Sequence, residues 1–397
     1  MADCQKCELC KTRINIVPGY GTENPDYLII GDSPGIEEDR KGKPFVGEQG
    51  ELLRWMLSKA GIKKVRLDYI VHCRPVKTYT KYGVIHYNTR QPSLEEIEIC
   101  SAGLYDEIKK LNPKVIIPLG NIAISYFTGK KQSHYTLQDA LLNKYDWNGY
   151  PVIPSWHPET ILKWDRTEYG NEYRKYLFAV EDFIDSLNYA RAIVKDEIKE
   201  ASLFVIETSE HFQMLVQQLK EAPIIASDIE TSKEQEIIGI SFSWEENTGV
   251  YLPLKIFDGF KLNDFWKNND FILKVLSDLI KNRYKDIIWH NAKYDIRIIM
   301  EKWGVPIDIC QDTSLMWGAL TDTRLDGSVR RIGLGFLTRK FFPWWKDYKK
   351  AVTDRFTDPE NIDYGKIPLE VIGPYGAMDS MITFKLYKLF LKMLKER

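Results

Sequence analysis

The chain has 397 residues, 44% of them hydrophobic, 28% charged and 13% aromatic, which suits a globular protein of about two domains and excludes a disordered or fibrous one. Its formal net charge of −1 excludes a global electrostatic pull toward nucleic acid, so any such binding must use local patches. The start, "MADCQKCELC", lacks the basic and apolar regions of a secretory signal, and no stretch approaches 18 apolar residues, so the expectation is a cytoplasmic protein with no membrane partner.

Cys4, Cys7 and Cys10 open the chain, and Cys73, Cys100 and Cys310 follow. In a reducing compartment six cysteines argue for metal binding, catalysis or burial rather than disulfides, and burial is the expectation for Cys310. A C-x₂-C pair near a free end can complete a tetrahedral site with two distant thiolates, holding zinc or an iron–sulfur cluster; spacing alone does not choose.

The first half then alternates short apolar runs with helical patterns: "DYLIIGD", "EQGELLRWMLSKAG", "LDYIVHC", "SLEEIEICSAGLYDEIKKL", "PKVIIPLG" and "YPVIPSWHP". Runs of four to six apolar residues bounded by Pro and Gly read as β-α-β units around a parallel sheet. A long polar helix near 168–199 marks the expected boundary between domains at 1–199 and 200–397.

The second half begins with strand, helix and strand in "SLFVIETSEHFQMLVQQLKEAPIIASDIETS". "IIGISFSW" and "GVYLPL" follow before the next helix, which predicts a mixed sheet with an antiparallel meander. Between residues 330 and 350, "RRIGLGFLTRKFFPWWKDYKK" interleaves cations with Phe and Trp. It reads either as a single-strand binding groove or as a solvated basic helix face with a buried aromatic side.

In "IIASDIETS", Asp228 and Glu230 sit two apart on an apolar strand, so both side chains emerge on one face. Asp295 heads a helix in "IIWHNAKYDIRIIM", and Tyr375 and Asp379, four apart in "YGAMDSMITFKLY", share a helix face. Oxygen ligands from several elements, without His or Cys, suit a hard cation such as Mg²⁺ or Mn²⁺. Two such ions can activate a water and stabilise the leaving oxygen of a phosphodiester.

With "DIET", "HNAKYD", "DTSLMWGAL" and "YGAMD" in this order, residues 203–397 resemble the DEDDy class of 3′→5′ exonucleases, above all the proofreading domain of the DNA polymerase I family. The resemblance implies an RNase H-like fold. It also implies two Mg²⁺ or Mn²⁺ ions on Asp228, Glu230, Asp295 and Asp379, with Tyr375 orienting the attacking water. Asn291 and Lys293 are implied near the metal site or substrate.

In the first half, "LIIGDSPGIEEDRKGKPFVGEQGELL", "HCRP", "PKVIIPLGNIAISYF" and "SWHPETILK" resemble, in order, the family 4 uracil-DNA glycosylases. That resemblance implies a three-layer α/β/α fold and a [4Fe–4S] cluster on Cys4, Cys7, Cys73 and Cys100, with Cys10 spare; a set in which Cys10 replaces one of the four is the alternative. It further implies "GDSPG" as the pocket turn, Phe45 as the ring that stacks on the base, and Asp32 and His157 as the groups acting on uracil.

The match departs at two pocket positions. Asp32 stands where the family has Glu, and Tyr69, beside Asp68, stands where it has the Asn that reads the uracil edge. A Tyr cannot both donate and accept as an amide does. The segment between Cys73 and Cys100 is also longer than in the family, with a polar, aromatic insertion.

The expected protein is therefore a metal-dependent 3′→5′ DNA exonuclease fused to a glycosylase-like domain. It acts in replication or repair on single-stranded or frayed 3′ ends, and its DNA polymerase is expected as a separate chain. Two alternatives concern the first domain: a non-catalytic DNA-binding or polymerase-docking module, or an active glycosylase beside an active exonuclease. For the exonuclease, an RNA substrate is a further alternative.

Overall fold

The computed structural model describes residues 4–82, 84–130, 140–165, 171–254, 269–307, 311–321, 332–356 and 362–396. Cys310, and Arg330 and Arg331 of the basic, aromatic stretch, lie outside the described residues. The chain forms two compact units, Met1–Ile198 and Lys199–Arg397.

The first unit contains strands β1 (Tyr20–Gly21), β2 (Tyr27–Gly31), β3 (Val65–Tyr69), β4 (Val76–Lys81), β5 (Val84–Thr89), β6 (Val115–Leu119), β7 (Tyr145–Trp147) and β8 (Tyr150–Val152). Six make one sheet in the order β1-β3-β2-β6-β8-β7. The inner strands β3, β2, β6 and β8 run parallel, and β1 and β7 close the edges antiparallel. Every residue of β2 and β6 is buried, as a sheet covered on both faces requires.

On one face Leu28, Ile30 and Ile116 cluster with Leu104, Ile108 and Phe127 from the flanking helices Leu104–Leu111 and Asn121–Thr128. The long helix Asn171–Val194 also packs on β6. The single helix expected over 93–111 is two, Leu94–Ser101 and Leu104–Leu111, broken where Gly103 caps the second. Strands β4 and β5 form a separate hairpin ribbon that the sequence pattern did not distinguish from loop.

The second unit holds β9 (Ser202–Val205), β10 (Ile225–Thr231), β11 (Ile237–Ser243), β12 (Thr248–Pro253), β13 (Ile287–Trp289) and β14 (Gln311–Asp312), ordered β14-β13-β10-β11-β12-β9. β10, β11 and β12 form the antiparallel meander, while β13 and β14 join in parallel beyond β10. This mixed sheet, with its central strand followed by two hairpin partners on one side and two crossover strands on the other, is RNase H-like.

The helix Leu369–Lys395 crosses β10, β11 and β12. A Cβ at Gly376 would come within 2.6 Å of the Tyr251 ring, so the missing side chain lets the helix approach the sheet beside Glu230. Among the described residues no helix is long and apolar enough to cross a membrane.

Candidate functional site

In the second unit the meander puts Asp228 and Glu230 on one face of β10, and the crossing helix brings Asp379 to them. Carboxylate oxygens of Asp228, Glu230 and Asp379 all lie within 4.8 Å of one another. Asp295 is buried beside them at the start of the helix Lys293–Trp303, its Oδ1 accepting the Ile229 amide at 3.2 Å.

Burial first, then the facing carboxylates Asp295, Glu230 and Asp379, pushes the Asp228 carboxyl well above its ordinary range. Burial and Asp379 do the same to Glu230, and burial pushes Asp295 up to about 7. Like charges held this close need a cation to stay ionised, and an all-oxygen donor set fits a hard divalent one. The residues present therefore fit the expected metal.

Tyr375 lies one helical turn before Asp379 and is buried. Its hydroxyl is 3.5 Å from that of Tyr364 and accepts a hydrogen bond from Lys349 Nζ at 3.4 Å. Lys349 also pairs with Asp379 Oδ2 at 3.6 Å, and the Tyr348 hydroxyl donates to Asp379 Oδ1. Burial alone would lower the Lys349 ammonium, yet Asp379, Asp228 and Glu230 hold it above its ordinary value.

Asn291 and Lys293 stand exposed at the entrance to the helix that carries Asp295. Asn291 has a positive φ of 61°, and its amide and that of Ala292 donate to the Asp312 carboxylate at 3.0 and 2.9 Å. Asp312, from "DTSLMWGAL", thus shapes the turn rather than joining the carboxylate cluster. The aromatic side of the 330–350 stretch is packed inward. Leu337 and Phe342 are buried with Met378, Met381 and Phe390 in one hydrophobic cluster, and Trp344 and Trp345 pack against it half-buried, which favours the basic face with a buried aromatic side.

In the first unit Cys4, Cys7, Cys73 and Cys100 line one cavity of about 630 Å³ together with Arg13 and His72, and Cys10 is not on its wall. Arg13 Nη1 donates to Cys73 Sγ and the His72 amide to Cys100 Sγ, each at 3.4 Å. Burial raises Cys7 and Cys73, whereas at Cys100 hydrogen bonds from His72 outweigh burial and lower the thiol. Four free thiols around one cavity, with donors already aimed at sulfur, fit an iron–sulfur cluster. Asp39 Oδ1 accepts the amides of Ile14 and Asn15, which ties the cysteine-bearing end to the body.

A second cavity of about 470 Å³ is lined by Asp32, Gly35, Gln49, Arg90, Asn121 and His157, among others. Asp32 Oδ1 accepts the Ala123 amide at 2.8 Å at the N-terminus of the helix Asn121–Thr128. Burial nonetheless pushes its carboxyl up to about 7. His157 is pushed down to about 4 by burial, and its Nδ1 accepts the Glu159 amide at 3.3 Å, leaving a neutral ring with its proton on Nε2.

Phe45 approaches this cavity through His157, with the two ring centroids 6.0 Å apart. It is fully buried, its ring stacked on Tyr69 with centroids 4.8 Å apart, and its amide donates to the Tyr69 hydroxyl at 3.0 Å. A Cβ at Gly31 would lie 2.9 Å from both rings, so this glycine admits the stack.

A model of the uracil DNA glycosylase superfamily matches residues 18–181. The type-4 uracil-DNA glycosylase of Thermotoga maritima is 34% identical over 198 residues, covering 49% of this chain and 91% of that protein. The chain belongs to this superfamily by its N-terminal half. The type-4 enzyme of Archaeoglobus fulgidus is 33% identical over 181 residues, 43% of this chain and 85% of that protein.

A 3′-5′ exonuclease model matches residues 203–395, and the DNA polymerase I of Borreliella burgdorferi is 27% identical over 383 residues, 94% of this chain and 36% of that protein. A DNA polymerase of Bacillus phage SP01 is 24% identical over 413 residues, spanning 95% of this chain and 41% of that protein.

Several residues of the exonuclease and glycosylase domains escaped the reading of the sequence. Lys349, Tyr348 and Tyr364 surround Asp379 and Tyr375, but no spacing in "KDYKK" connects them to acids elsewhere in the chain. Glu38 was equally hidden. Its carboxylate accepts the amides of Gly35 and Val46 and the side chain of Gln49, holding the pocket turn to the Phe45 loop. His72, read only as part of "HCRP", bridges Asp68 Oδ1 at 2.9 Å to Cys100 Sγ at 3.6 Å.

Proposed function

We propose that the exonuclease domain removes nucleotides from the 3′ end of single-stranded or frayed DNA, with Asp228, Glu230, Asp295 and Asp379 holding two Mg²⁺ or Mn²⁺ ions. The observation that carries this reading is the convergence of three of these carboxylates within 4.8 Å, beside the buried Asp295. When bound, such ions activate a water and stabilise the leaving oxygen of a phosphodiester. Tyr375, one turn from Asp379, orients the attacking water through its hydroxyl, and Lys349 and Tyr364 fix that hydroxyl's position.

In the glycosylase domain Cys4, Cys7, Cys73 and Cys100 hold a [4Fe–4S] cluster, which pins the N-terminal segment to the body. The domain itself binds DNA without excising uracil. Tyr69 supports this second reading: its ring stacks on one face of Phe45, whose side chain is buried. The whole serves DNA replication or repair.

Digestion of 5′-labelled single-stranded DNA with Mg²⁺, comparing the protein with Asp228→Ala, tests the first reading. A ladder shortening from the 3′ end that is lost in the variant supports it, and a ladder unchanged in the variant overturns it. Uracil release in EDTA, read as alkali-sensitive strand breaks, tests the second. Excision by the native protein overturns it, whereas excision gained only in Tyr69→Asn supports it.

A further inference from the structure

Apart from Thr89 at its base, which lines the Asp32–His157 cavity, the hairpin of β4 and β5 has no part in the sites described above. Tyr79 pairs across it with His86, and Thr78 with Tyr87. Tyr82, at the turn, is 94% exposed, Tyr87 51% and Tyr79 42%. A two-stranded ribbon is marginal in water, and one that also turns large aromatic rings to solvent carries an unusual load of uncovered apolar surface. From Arg74 to Arg90 the sequence has four Lys or Arg residues and neither Asp nor Glu.

The base of the ribbon is held firmly while its tip is exposed. Arg74 donates to Thr89 Oγ1 at 2.8 Å and to the Tyr87 carbonyl at 3.2 Å, crossing from the Cys73 side to β5. Arg90 donates to the Val76 carbonyl at 3.1 Å and forms a double hydrogen bond with Glu96 at 2.6 and 2.8 Å. Thr89, Arg90, Gln91 and Pro92, where the ribbon returns to the body, form one wall of the cavity that holds Asp32 and His157.

We propose that this ribbon is a strand-binding arm of the glycosylase domain, whose exposed tyrosines stack on bases of single-stranded DNA next to the Asp32–His157 cavity. Charge complementarity selects the occupant: with both arginines engaged at the base, Lys77 and Lys81, in a segment without carboxylates, suit a phosphate backbone. Exposed rings alternating with Lys and Thr provide π-faces that accept any base. Tyr79 and His86, stacked with centroids 5.0 Å apart and planes at 15°, already form a platform that a base can extend. Continuity with the cavity wall gives the strand a path from ribbon to pocket. The inference rests on the reading that this domain engages DNA, and it requires no uracil excision.

The test is fluorescence anisotropy of a labelled oligothymidine with the full chain in EDTA, so that the strand stays intact. Tyr82→Ala/Tyr87→Ala is expected to raise Kd by about tenfold, the loss of roughly one base–aromatic stack. Lys77→Ala is expected to flatten the log–log salt dependence by about 0.7 if one phosphate contact is lost. A Kd within twofold of the native protein and an unchanged salt slope overturn the proposal.

Because the exonuclease domain also binds DNA, photo-cross-linking of 5-iodouridine oligonucleotides to the native chain provides a second readout. Cross-linked peptides from residues 76–89 support the arm, and cross-links confined to residues 199–397 overturn it. Both measurements stand whether or not a 3′→5′ ladder is seen, so failure of the exonuclease reading and failure of the arm are distinguishable. Unchanged circular dichroism of the tyrosine variant confirms that its fold is kept.

Discussion

Lys349 and Asp379 form an ion pair inside the carboxylate cluster, Nζ to Oδ2 at 3.6 Å, and the same ammonium reaches the Tyr375 hydroxyl at 3.4 Å. A protein cation thus stands among acids that otherwise repel one another. Replacing it with Met keeps the stem and removes the charge. The pair is partly open to solvent, so Lys349→Met is expected to cost about 1–2 kcal/mol in the metal-free protein, below the full cost of breaking a buried pair. That corresponds to a fall in Tm of roughly 2–8 °C in EDTA for a domain of this size. Saturating Mn²⁺ is expected to recover more stability in the variant than in the native protein, because the ion replaces the lost charge. Calorimetry with and without metal checks both.

Asp295 sets a pH dependence whose sign follows from burial. Its folded carboxyl titrates near 7 against an ordinary value of 3.8, so between those values the folded chain holds a proton that the unfolded chain has released. Stability therefore falls as pH rises through that window, by at most about 1.4 kcal/mol per pH unit for one group. The metal-free protein is expected to melt higher at pH 5 than at pH 8. Asp295→Asn, which retains an acceptor for the Ile229 amide, is expected to shrink the difference without abolishing it, since Asp32 is displaced in the same direction. Denaturant titrations at the two pH values measure it.

Tyr375→Phe retains the ring that stacks on Tyr348, with centroids 5.9 Å apart, and removes only the hydroxyl. If that hydroxyl orients the attacking water, kcat for 3′ nucleotide release is expected to fall about 10- to 100-fold with KM little changed, the range expected for losing one positioning contact. Single-turnover kinetics on a short oligonucleotide separates the two parameters. A parallel rise in KM alone would place the hydroxyl in substrate binding instead.

The two candidate cysteine sets are separable by iron content. Cys10 is absent from the wall of the cavity lined by Cys4, Cys7, Cys73 and Cys100. Cys10→Ser is expected to bind as much iron and acid-labile sulfide as the native protein, and Cys100→Ser much less. Iron and sulfide analysis of the two purified variants decides between the sets.

Pattern and residue type made much of this protein legible before any coordinates. Alternating apolar runs predicted the parallel sheet, because a strand buried on both faces must be apolar throughout. The D-x-E spacing predicted that Asp228 and Glu230 share a face, because strand periodicity is local. Long-range relationships were not legible. Nothing in the spacing of "KDYKK" places Lys349 on Asp379, since that contact depends on where a connecting segment folds back over a helix.

The departure at Tyr69 was visible as an unexpected residue type, but its consequence is tertiary: only the folded strands put that ring on Phe45 and bring Gly31 close enough to admit it. The insertion after Cys73 was visible as extra length, and only the structure made it a ribbon rooted in a cavity wall. By itself the sequence determined the two folds and the residues able to carry chemistry, because these depend on local periodicity and ordered motifs. The tertiary structure alone decided which of those groups meet and which are covered, because side-chain contacts between distant segments are set by packing.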